Sequence, residues 1–465
     1  MTEPVQQVLT VAQMREAEEA LIRAGTSVDA LMQIAGRGAA DWVWRLAAHH
    51  TVTVLCGPGN NGGDGYVIAE AIRGRGGKVR VVAAMEPKTD AARNARALYH
   101  GEVLGPDSEV HGDVLVDCLF GSGLVRPLSD DLFALLTRLA ARHHRLVAID
   151  LPSGVESDSG VALNPGLPDY LLTVSLGAWK QAHFLMPAAA AMGQLRLVGI
   201  GCAAVPAAPG VVARPTVATP DAEAQKYRRG LLAVVGGAMP GAAELACAAA
   251  MGAGAGYVRL ASDGRTVQPR AAALVVDARP LAESLGDDRI AATLVGPGLG
   301  RDATARGRLE AALASGHRLV LDADALVLLR KGDQPGAGVA TPHDGELAAL
   351  ERAFAPDGVG TKLDRARALA AATGLVILAK GPDTVIAAPD GRGAFSHRAS
   401  VWLSTAGTGD VLAGIVASRL ATGLGPFEAA CEAVWLHGEA ARLAGQAFSA
   451  DDLAAQVRSA YAACL

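Results

Sequence analysis

A chain of 465 residues is long enough for two or more domains, each with a full core. With 51% hydrophobic and 19% charged residues and a formal net charge of −5, it has a globular composition and no basic field for nucleic acid or an anionic membrane surface. Aromatics at 4% are too few for a base-stacking surface, whereas 55 glycines suit an α/β protein with many tight anion-type loops.

The opening Met1-Thr2-Glu3-Pro4 carries an acid and no basic segment before an apolar core, so no secretory signal is expected and the chain reads as cytoplasmic. Residues 11–40 have helical periodicity. Met14, Ala17, Leu21 and Ile22 make one stripe and Leu31, Met32, Ile34 and Ala35 another, across a Gly25-Thr26 break. Residues 51–56 are a short β-branched run leading into Gly57-Pro58-Gly59-Asn60-Asn61-Gly62-Gly63-Asp64-Gly65, after which Tyr66-Val67-Ile68-Ala69 is expected to open a helix. A glycine turn and a strand over 79–84 complete a βαβ unit with a glycine-rich loop at its first turn. Its glycines do not match the dinucleotide fingerprint. Its paired asparagines can donate to phosphate and accept from a cation or hydroxyl.

Further buried strands are predicted over 113–119, 145–151, 171–176 and 195–200, with helical sequence around 132–141. This alternation implies a parallel sheet covered on both faces, with ligands beyond the carboxyl ends of the strands. Residues 57–65, Gly121-Ser122-Gly123 and Asp150-Leu151-Pro152-Ser153-Gly154 all follow strands, so they are expected to converge on one crevice. Residues 197–213 are uncharged, but Pro206, Pro209 and small side chains argue against a spanning helix. Residues 202–221, rich in Ala, Pro and Gly, are the linker candidate, which sets expected domains at 1–212 and 213–465. The six cysteines show no metal or disulfide spacing and read as reduced core thiols.

A second strand–helix alternation starts at 231–235. Gly236-Gly237 and Pro240-Gly241-Ala242-Ala243 open a helix through Met251, and strands follow over 257–260, 293–295, 318–321 and 375–379. The loops carry Gly296-Pro297-Gly298-Leu299-Gly300, Asp322-Ala323-Asp324-Ala325-Leu326 and Lys380-Gly381-Pro382-Asp383-Thr384, and Pro389-Asp390-Gly391 is a turn between short strands. No repeat relates the halves. The clearest chemistry lies in Thr405-Ala406-Gly407-Thr408-Gly409-Asp410. The apolar positions 411, 412, 415, 416 and 420 that follow predict a helix packed by one face, which puts Gly407, Thr408 and Gly409 in the turn that starts it. Amides freed by two glycines can converge on an anion at the positive helix end, and Asp410 can take a proton from a hydroxyl while they steady a phosphoryl group in transfer. A lone Gly-x-Gly-Asp would read equally as an ordinary helix cap, and the pair Asp322 and Asp324 stays open between a cap and a metal ligand.

The ordered set of motifs settles more than any one of them. The N-terminal half resembles the NAD(P)H-hydrate epimerase family in residues 59–65, in Asp117-Cys118-Leu119-Phe120-Gly121-Ser122-Gly123-Leu124, in residues 148–154 and in Gly177-Ala178-Trp179-Lys180. The C-terminal half resembles the ADP- or ATP-dependent NAD(P)H-hydrate dehydratases in Gly236-Gly237, residues 296–300, Thr341-Pro342-His343-Asp344-Gly345-Glu346, residues 380–384, residues 405–414 and Trp435-Leu436-His437-Gly438. The resemblance implies an α/β protein of two domains, a Rossmann-like three-layer sandwich followed by a ribokinase-like domain. It implies repair of hydrated nicotinamide cofactors: the first domain interconverts the R and S epimers of NADH or NADPH hydrate, and the second dehydrates the S form at the expense of ADP or ATP.

Carried over residue by residue, the resemblance places hydrate on Asn60, Asn61, Gly62, Gly63 and Asp64 and on the loop Gly121, Ser122, Gly123, Leu124, Val125, Arg126 and Pro127. Asp150 is implied as general acid–base with Lys180, and Asn61, Asp117 and Ser153 as ligands of a potassium ion. In the second domain Ala242, Gly298, His343 and Asp410 match hydrate contacts, Lys380, Gly381, Pro382, Asp383, Thr384 and Gly409 nucleotide contacts, and Gly407, Thr408 and Gly409 the anion hole, with Asp410 as base. Phosphoryl transfer implies Mg2+. His437 reads as packing. The partners implied are small molecules, with neither nucleic acid nor membrane, and self-association is left open. The rival reading is a ribokinase-superfamily small-molecule kinase fused to an epimerase-like binding or scaffold domain; accumulation of a phosphorylated product would distinguish it.

Overall fold

The computed structural model describes residues 4–265, 267–354 and 359–465, so Met1, Thr2 and Glu3 of the opening tetrapeptide lie outside the described residues. The chain divides into two compact units, Met1–Gly210 and Val211–Leu465. The first contains β1 (Val8–Leu9), β2 (Val52–Cys56), β3 (Val79–Ala83), β4 (Val103–Leu104), β5 (Gly112–Cys118), β6 (His143–Ile149), β7 (Leu172–Leu176), β8 (Trp179–Lys180) and β9 (Gln194–Val198). Seven of these form a sheet in the order β4-β3-β2-β5-β6-β7-β9, parallel throughout. Because side chains alternate across a strand, Val52, Val54, Cys56, Val114, Val116 and Cys118 join one core with the helices Val28–Ala47, Asn60–Gly74 and Asp90–Leu98. Leu55 and Leu115 join another with Asp130–Ala140 on the opposite face. The short β1 pairs with β8, setting Leu9 opposite Lys180.

One element differs from its expectation in a way that matters. The helix after β2 begins at Asn60, not at Tyr66, so the Asn60-Asn61-Gly62-Gly63-Asp64-Gly65 stretch is helix rather than loop. Its glycines serve close packing. A Cβ on Gly62 would lie 1.9 Å from the Gly57 carbonyl, one on Gly63 would strike the Met32 side chain and one on Gly65 would strike Cys56 and Cys118. Tertiary contact therefore overrides the low helix propensity of glycine and asparagine here.

The second unit opens on β10 (Gly210–Val211) and adds β11 (Leu231–Val235), β12 (Tyr257–Ala261), β13 (Val275–Asp277), β14 (Ile290–Val295), β15 (Leu319–Leu321), β16 (Gly338–Ala340), β17 (Val376–Ala379), β18 (Val385–Ala387) and β19 (Gly393–Phe395). The sheet order is β10-β19-β18-β17-β16-β15-β14-β11-β12-β13. Pairings from β13 through β17 are parallel and β17-β18-β19 antiparallel, the last hairpin turning at Pro389-Asp390-Gly391 as expected. Helices Pro240–Gly252, Thr408–Ala421, Pro426–Ala444 and Ala450–Ala462 share one large core with the sheet. The one-sided stripe expected for Thr408–Ala421 is corrected: every residue from Val411 to Ala421 is buried. Gly414 makes this possible, since a Cβ there would lie 2.2 Å from the Ala246 carbonyl of the crossing helix. The six cysteines are all free thiols. No helix among the described residues is long and apolar enough to cross a membrane.

Candidate active sites

In the first unit the strand-end motifs do converge. Asp150 follows β6 in left-handed backbone, φ 66°, a conformation that an aspartate keeps only where its surroundings hold it. Its N–H donates to the Val174 carbonyl at 2.7 Å, and its carbonyl accepts from His183 Nε2 at 2.8 Å. The His183 ring accepts the Lys180 amide on Nδ1 at 2.9 Å, which assigns its proton to Nε2, and burial holds it down at about 4, so it stays neutral. The Asp150 carboxylate accepts from Lys180 Nζ and from the Ser122 amide at 2.9 Å. Lys180, with 1% of its side chain exposed, also donates to the Leu176 carbonyl at 2.7 Å. Burial pushes Asp150 up, but the Lys180 charge and hydrogen bond outweigh it and hold the carboxyl below its ordinary value. Asp64 goes the other way: burial first, then the charges of Asp150 and Glu18, raise it well above its ordinary value. Around one ammonium the site thus holds two carboxyls whose proton affinities are pushed in opposite directions.

A Cβ on Gly121 would lie 3.0 Å from Asp150 Oδ2 and 3.3 Å from Asn61 Oδ1, so Asn61 and Asp150 meet at Gly121. Both polar atoms of the Asn61 amide are buried without a hydrogen-bond partner, a costly arrangement that a ligand would relieve. Asp117, fully buried, accepts the Ser153 amide and the Tyr170 hydroxyl on Oδ2 at 3.0 and 2.6 Å, and the Leu119 amide and Ser153 Oγ on Oδ1 at 3.1 and 2.7 Å. Ser153 has one proton to share between Asp117 Oδ1 and the Phe120 carbonyl at 3.1 Å, which leaves one of these acceptors open. Open oxygens beside a buried carboxylate fit a weakly hydrated monovalent cation. Asn60 accepts from Thr89 at 2.7 Å; Val125, Arg126 and Pro127 are exposed, while Leu124 packs against the Leu115 core.

In the second unit Gly407 caps the helix Thr408–Ala421 in left-handed backbone, φ 92°, which only glycine adopts without strain. The Thr408 hydroxyl donates to the Leu403 or Thr405 carbonyl, at 2.7 and 2.9 Å, pinning the turn. Lys380 Nζ faces it, 3.5 Å from where a Gly409 Cβ would stand, and bonds Asp322 Oδ1 at 2.6 Å with Glu346 Oε2 at 3.9 Å. Asp410 lies in this first turn with its carboxyl raised to about 7, by burial first and then by the charge of Asp322, against the opposing charge of Lys380. Asp324 clips the 296–300 loop instead, accepting the Gly300 amide at 2.9 Å and Arg301 Nε at 2.7 Å. Ala242 and Gly298 touch, 3.1 Å separating the Ala242 Cβ from a Cβ built on Gly298. Leu245, one turn along from Ala242, lies against Gly407, which connects that pair to the anion hole.

The remaining expected residues are placed as follows. His343 is exposed, and its Nδ1 accepts the Gly345 and Glu346 amides at 3.0 and 3.2 Å, so the ring caps the helix Asp344–Phe354. Thr384 folds the 380–384 loop by accepting the Gly381 amide at 3.2 Å, and Gly381 and Pro382 are exposed. His437 does more than pack: its Nε2 bonds the Thr408 carbonyl at 3.0 Å, and burial holds the ring down at about 4. Sequence reasoning missed Glu18, Tyr170, His183, Glu346 and Lys362. Of these, His183 was reachable through its spacing of three from Lys180. Among the described residues no group of three or more His, Cys, Asp or Glu is placed to hold a metal.

The fold and these two clusters define a class: a two-unit α/β protein with a buried carboxylate–ammonium couple in one unit and, in the other, a glycine-capped helix start that carries an aspartate raised to about 7. The comparisons narrow it. The family model described as NAD(P)H-hydrate dehydratase matches residues 232–461, and that of the YjeF-related protein N-terminus matches residues 28–182. The bifunctional NAD(P)H-hydrate repair enzyme Nnr of Salinibacter ruber is 33% identical over 94% of this chain and 92% of its own length. That of Mycobacterium leprae is 33% identical over 93% of each. The solved ADP/ATP-dependent NAD(P)H-hydrate dehydratase of Bacillus subtilis, co-crystallized with ATP/Mg2+, is 27% identical over 54% of this chain and 95% of its own, with a TM-score of 0.47. The chain belongs to the family of bifunctional NAD(P)H-hydrate repair enzymes.

Proposed function

We propose that this protein repairs hydrated nicotinamide cofactors with one activity in each unit: residues 1–212 interconvert the R and S hydrates of NADH and NADPH, and residues 213–465 convert the S form back to the reduced cofactor. The observation that carries the second activity is Asp410, raised to about 7 beside the Gly407-Thr408-Gly409 amides and facing Lys380. A group with that proton affinity is ionised enough near neutrality to accept the proton of the C6 hydroxyl and basic enough to hold it. The hydroxyl oxygen then attacks the terminal phosphorus of ADP or ATP, the P–O bond to AMP or ADP breaks, and the amides with Lys380 Nζ stabilise charge on the transferring group. Loss of phosphate from C6, with a proton leaving the adjacent carbon, restores the ring double bond. Lys380, Gly381, Pro382, Asp383 and Thr384 hold the nucleotide with Gly409, and Ala242, Gly298 and His343 hold the hydrate. Asp322 and Glu346, which converge on the Lys380 ammonium, are the carboxylates that would hold Mg2+ bound with the nucleotide, where it would supply charge to neutralise the phosphates.

In the first unit Asp150 is the base and Lys180 the group that keeps it ionised, while Asp64, whose hold on a proton is strengthened by burial and by the charge of Asp150, supplies the acid. Asn60, Asn61, Gly62 and Gly63, with the loop from Gly121 to Pro127, hold the hydrate's phosphates and ribose. Potassium fits Asn61, Asp117 and Ser153, where it supplies fixed positive charge near the substrate phosphates. The test gives purified protein S-hydrate with ADP or ATP and follows absorbance at the reduced-nicotinamide band together with free phosphate. Recovery of reduced cofactor with equimolar phosphate is the expected result. Accumulation of a stable phosphorylated product would mark a kinase instead.

A further inference from the structure

Lys362 occupies a position that ordinary helix energetics disfavours. It is the first residue of the helix Lys362–Thr373, whose N-terminus is capped by Thr361 and Asp364, so a cation stands at the positive end of the helix dipole. It is also withdrawn from water, with 7% of its side chain exposed. Burying an ammonium there costs free energy unless oxygens surround it. Three do: Asp383 Oδ1 at 2.7 Å, the Lys380 carbonyl at 3.0 Å and Asp344 Oδ1 at 3.0 Å. Nζ also lies 2.5 Å from where a Gly381 Cβ would stand and Asp383 Oδ1 2.8 Å, so a side chain at that position would have to displace this ion pair.

These partners come from two loops. Lys380 and Asp383 belong to the segment read above as nucleotide-binding, whereas Asp344 opens the helix that His343 caps, on the side read as hydrate-binding. We propose that Lys362 is a positioning residue for nucleotide binding, which holds the 380–384 loop in its nucleotide-binding shape by tying it to the start of the helix at Asp344. The inference rests on the assignment of the 380–384 loop under Proposed function. Lys362 touches neither the anion hole nor Asp410, so it acts on nucleotide affinity and not on the transfer step. Asp344, with 68% of its side chain exposed, supplies the weaker tether.

The test uses the full chain and measures binding of Mg-ADP and Mg-ATP by calorimetry together with steady-state dehydration of S-hydrate. Lys362→Met is expected to raise Kd and nucleotide KM about tenfold or more while kcat stays within about threefold. Lys362→Arg restores most of the affinity, because a guanidinium still reaches carboxylate and carbonyl oxygens. Asp344→Ala, exposed and not expected to perturb folding, raises nucleotide KM about two- to threefold. Epimer exchange, in the other unit, is unchanged in all three, and a thermal transition of the second unit close to that of wild type reports that the altered unit is folded. Lys362→Met with unaltered nucleotide KM and Kd, or with kcat lost while KM holds, overturns the proposal. So does loss of affinity that Lys362→Arg fails to recover while Asp344→Ala has no effect. A wild-type chain that recovers no reduced cofactor with either nucleotide overturns the reading of the second unit itself, and this inference with it.

Discussion

Asp150 and Asp410 are both acids that follow a strand or open a helix in an α/β unit, Asp150 buried and Asp410 half-buried, and their proton affinities lie on opposite sides of the ordinary value. Burial raises each of them. What separates them is where the nearest ammonium spends its charge. Lys180 bonds Asp150 directly, with the Leu176 carbonyl as its other hydrogen-bond partner, so its charge acts most strongly on that carboxylate. Lys380 gives its short bond to Asp322, and the Asp322 charge then works against ionisation of Asp410. One unit has therefore built a carboxylate that stays ionised, and the other a base whose affinity is matched to neutral pH. The partner of the lysine, not the depth of burial, decides which.

The largest effect expected from breaking this contrast is on dehydration. Asp410→Asn removes the base and should lower ADP- or ATP-dependent recovery of S-hydrate by about 10² to 10⁴, the span typical of general-base loss, with epimer exchange untouched. In the wild-type chain kcat/KM for dehydration should rise with pH through about 7, as Asp410 loses its proton. Asp322→Asn should move that limb to lower pH, because the charge that raises Asp410 has gone; a limb that stays in place would show that Asp322 does not set it.

Next in size is the couple in the first unit. Lys180→Met strips the buried Asp150 of its partner, so the carboxyl must either carry an uncompensated charge or take up a proton, which by the behaviour of broken buried pairs costs about 3–5 kcal/mol. Thermal unfolding should show the first unit melting earlier while S-hydrate is still dehydrated below that transition. Epimer exchange should be lost in Lys180→Met and in Asp150→Asn, and survival of exchange in either would remove these residues from the chemistry. A smaller effect concerns the orphaned amide of Asn61. In the wild-type chain potassium chloride should raise the melting temperature of the first unit over choline chloride at equal ionic strength, by about 2–4 °C for each kcal/mol of ion binding. Asn61→Leu, which keeps the shape and removes the open oxygen, should abolish the difference.

How far all this was readable beforehand follows the kind of interaction involved. Strands such as β2, β5, β6 and β11 announce themselves by short apolar, β-branched stretches, and the loops after them were placed at one edge before any contact was known. The two-residue β1 and β8 carry no periodicity, yet their pairing sets Lys180 in place. The helical start at Asn60 was hidden because glycine and asparagine disfavour helix and only the neighbours Gly57, Met32 and Cys118 explain them. Asp150, Asp410 and Lys180 were found from motifs. Glu18, Tyr170 and Lys362 were not, since each acts through a partner more than 15 residues away in sequence, and nothing local marks it.

The smallest expected effect is on stability, and it turns the same contrast into a sign. The folded carboxyl of Asp410 lies at about 7, above the ordinary unfolded value of about 4, so the folded state binds this proton more tightly than the unfolded one. The stability this group contributes is therefore fully present below about pH 4 and is lost as pH rises towards 7, with no further change above. Asp150 has the reverse sign, its folded value lying below the unfolded one, so its contribution is present above about pH 4 and disappears on acidification. Asp410→Asn removes the titration. Its melting temperature for the second unit, relative to wild type, should climb between pH 4 and 7 and then level, whereas Asp150→Asn should lose ground for the first unit as pH rises towards about 4 and stay level above it. A constant offset for Asp410→Asn across that range would mean that the carboxyl titrates as an ordinary exposed one, and that the free protein does not hold its base ready near neutrality.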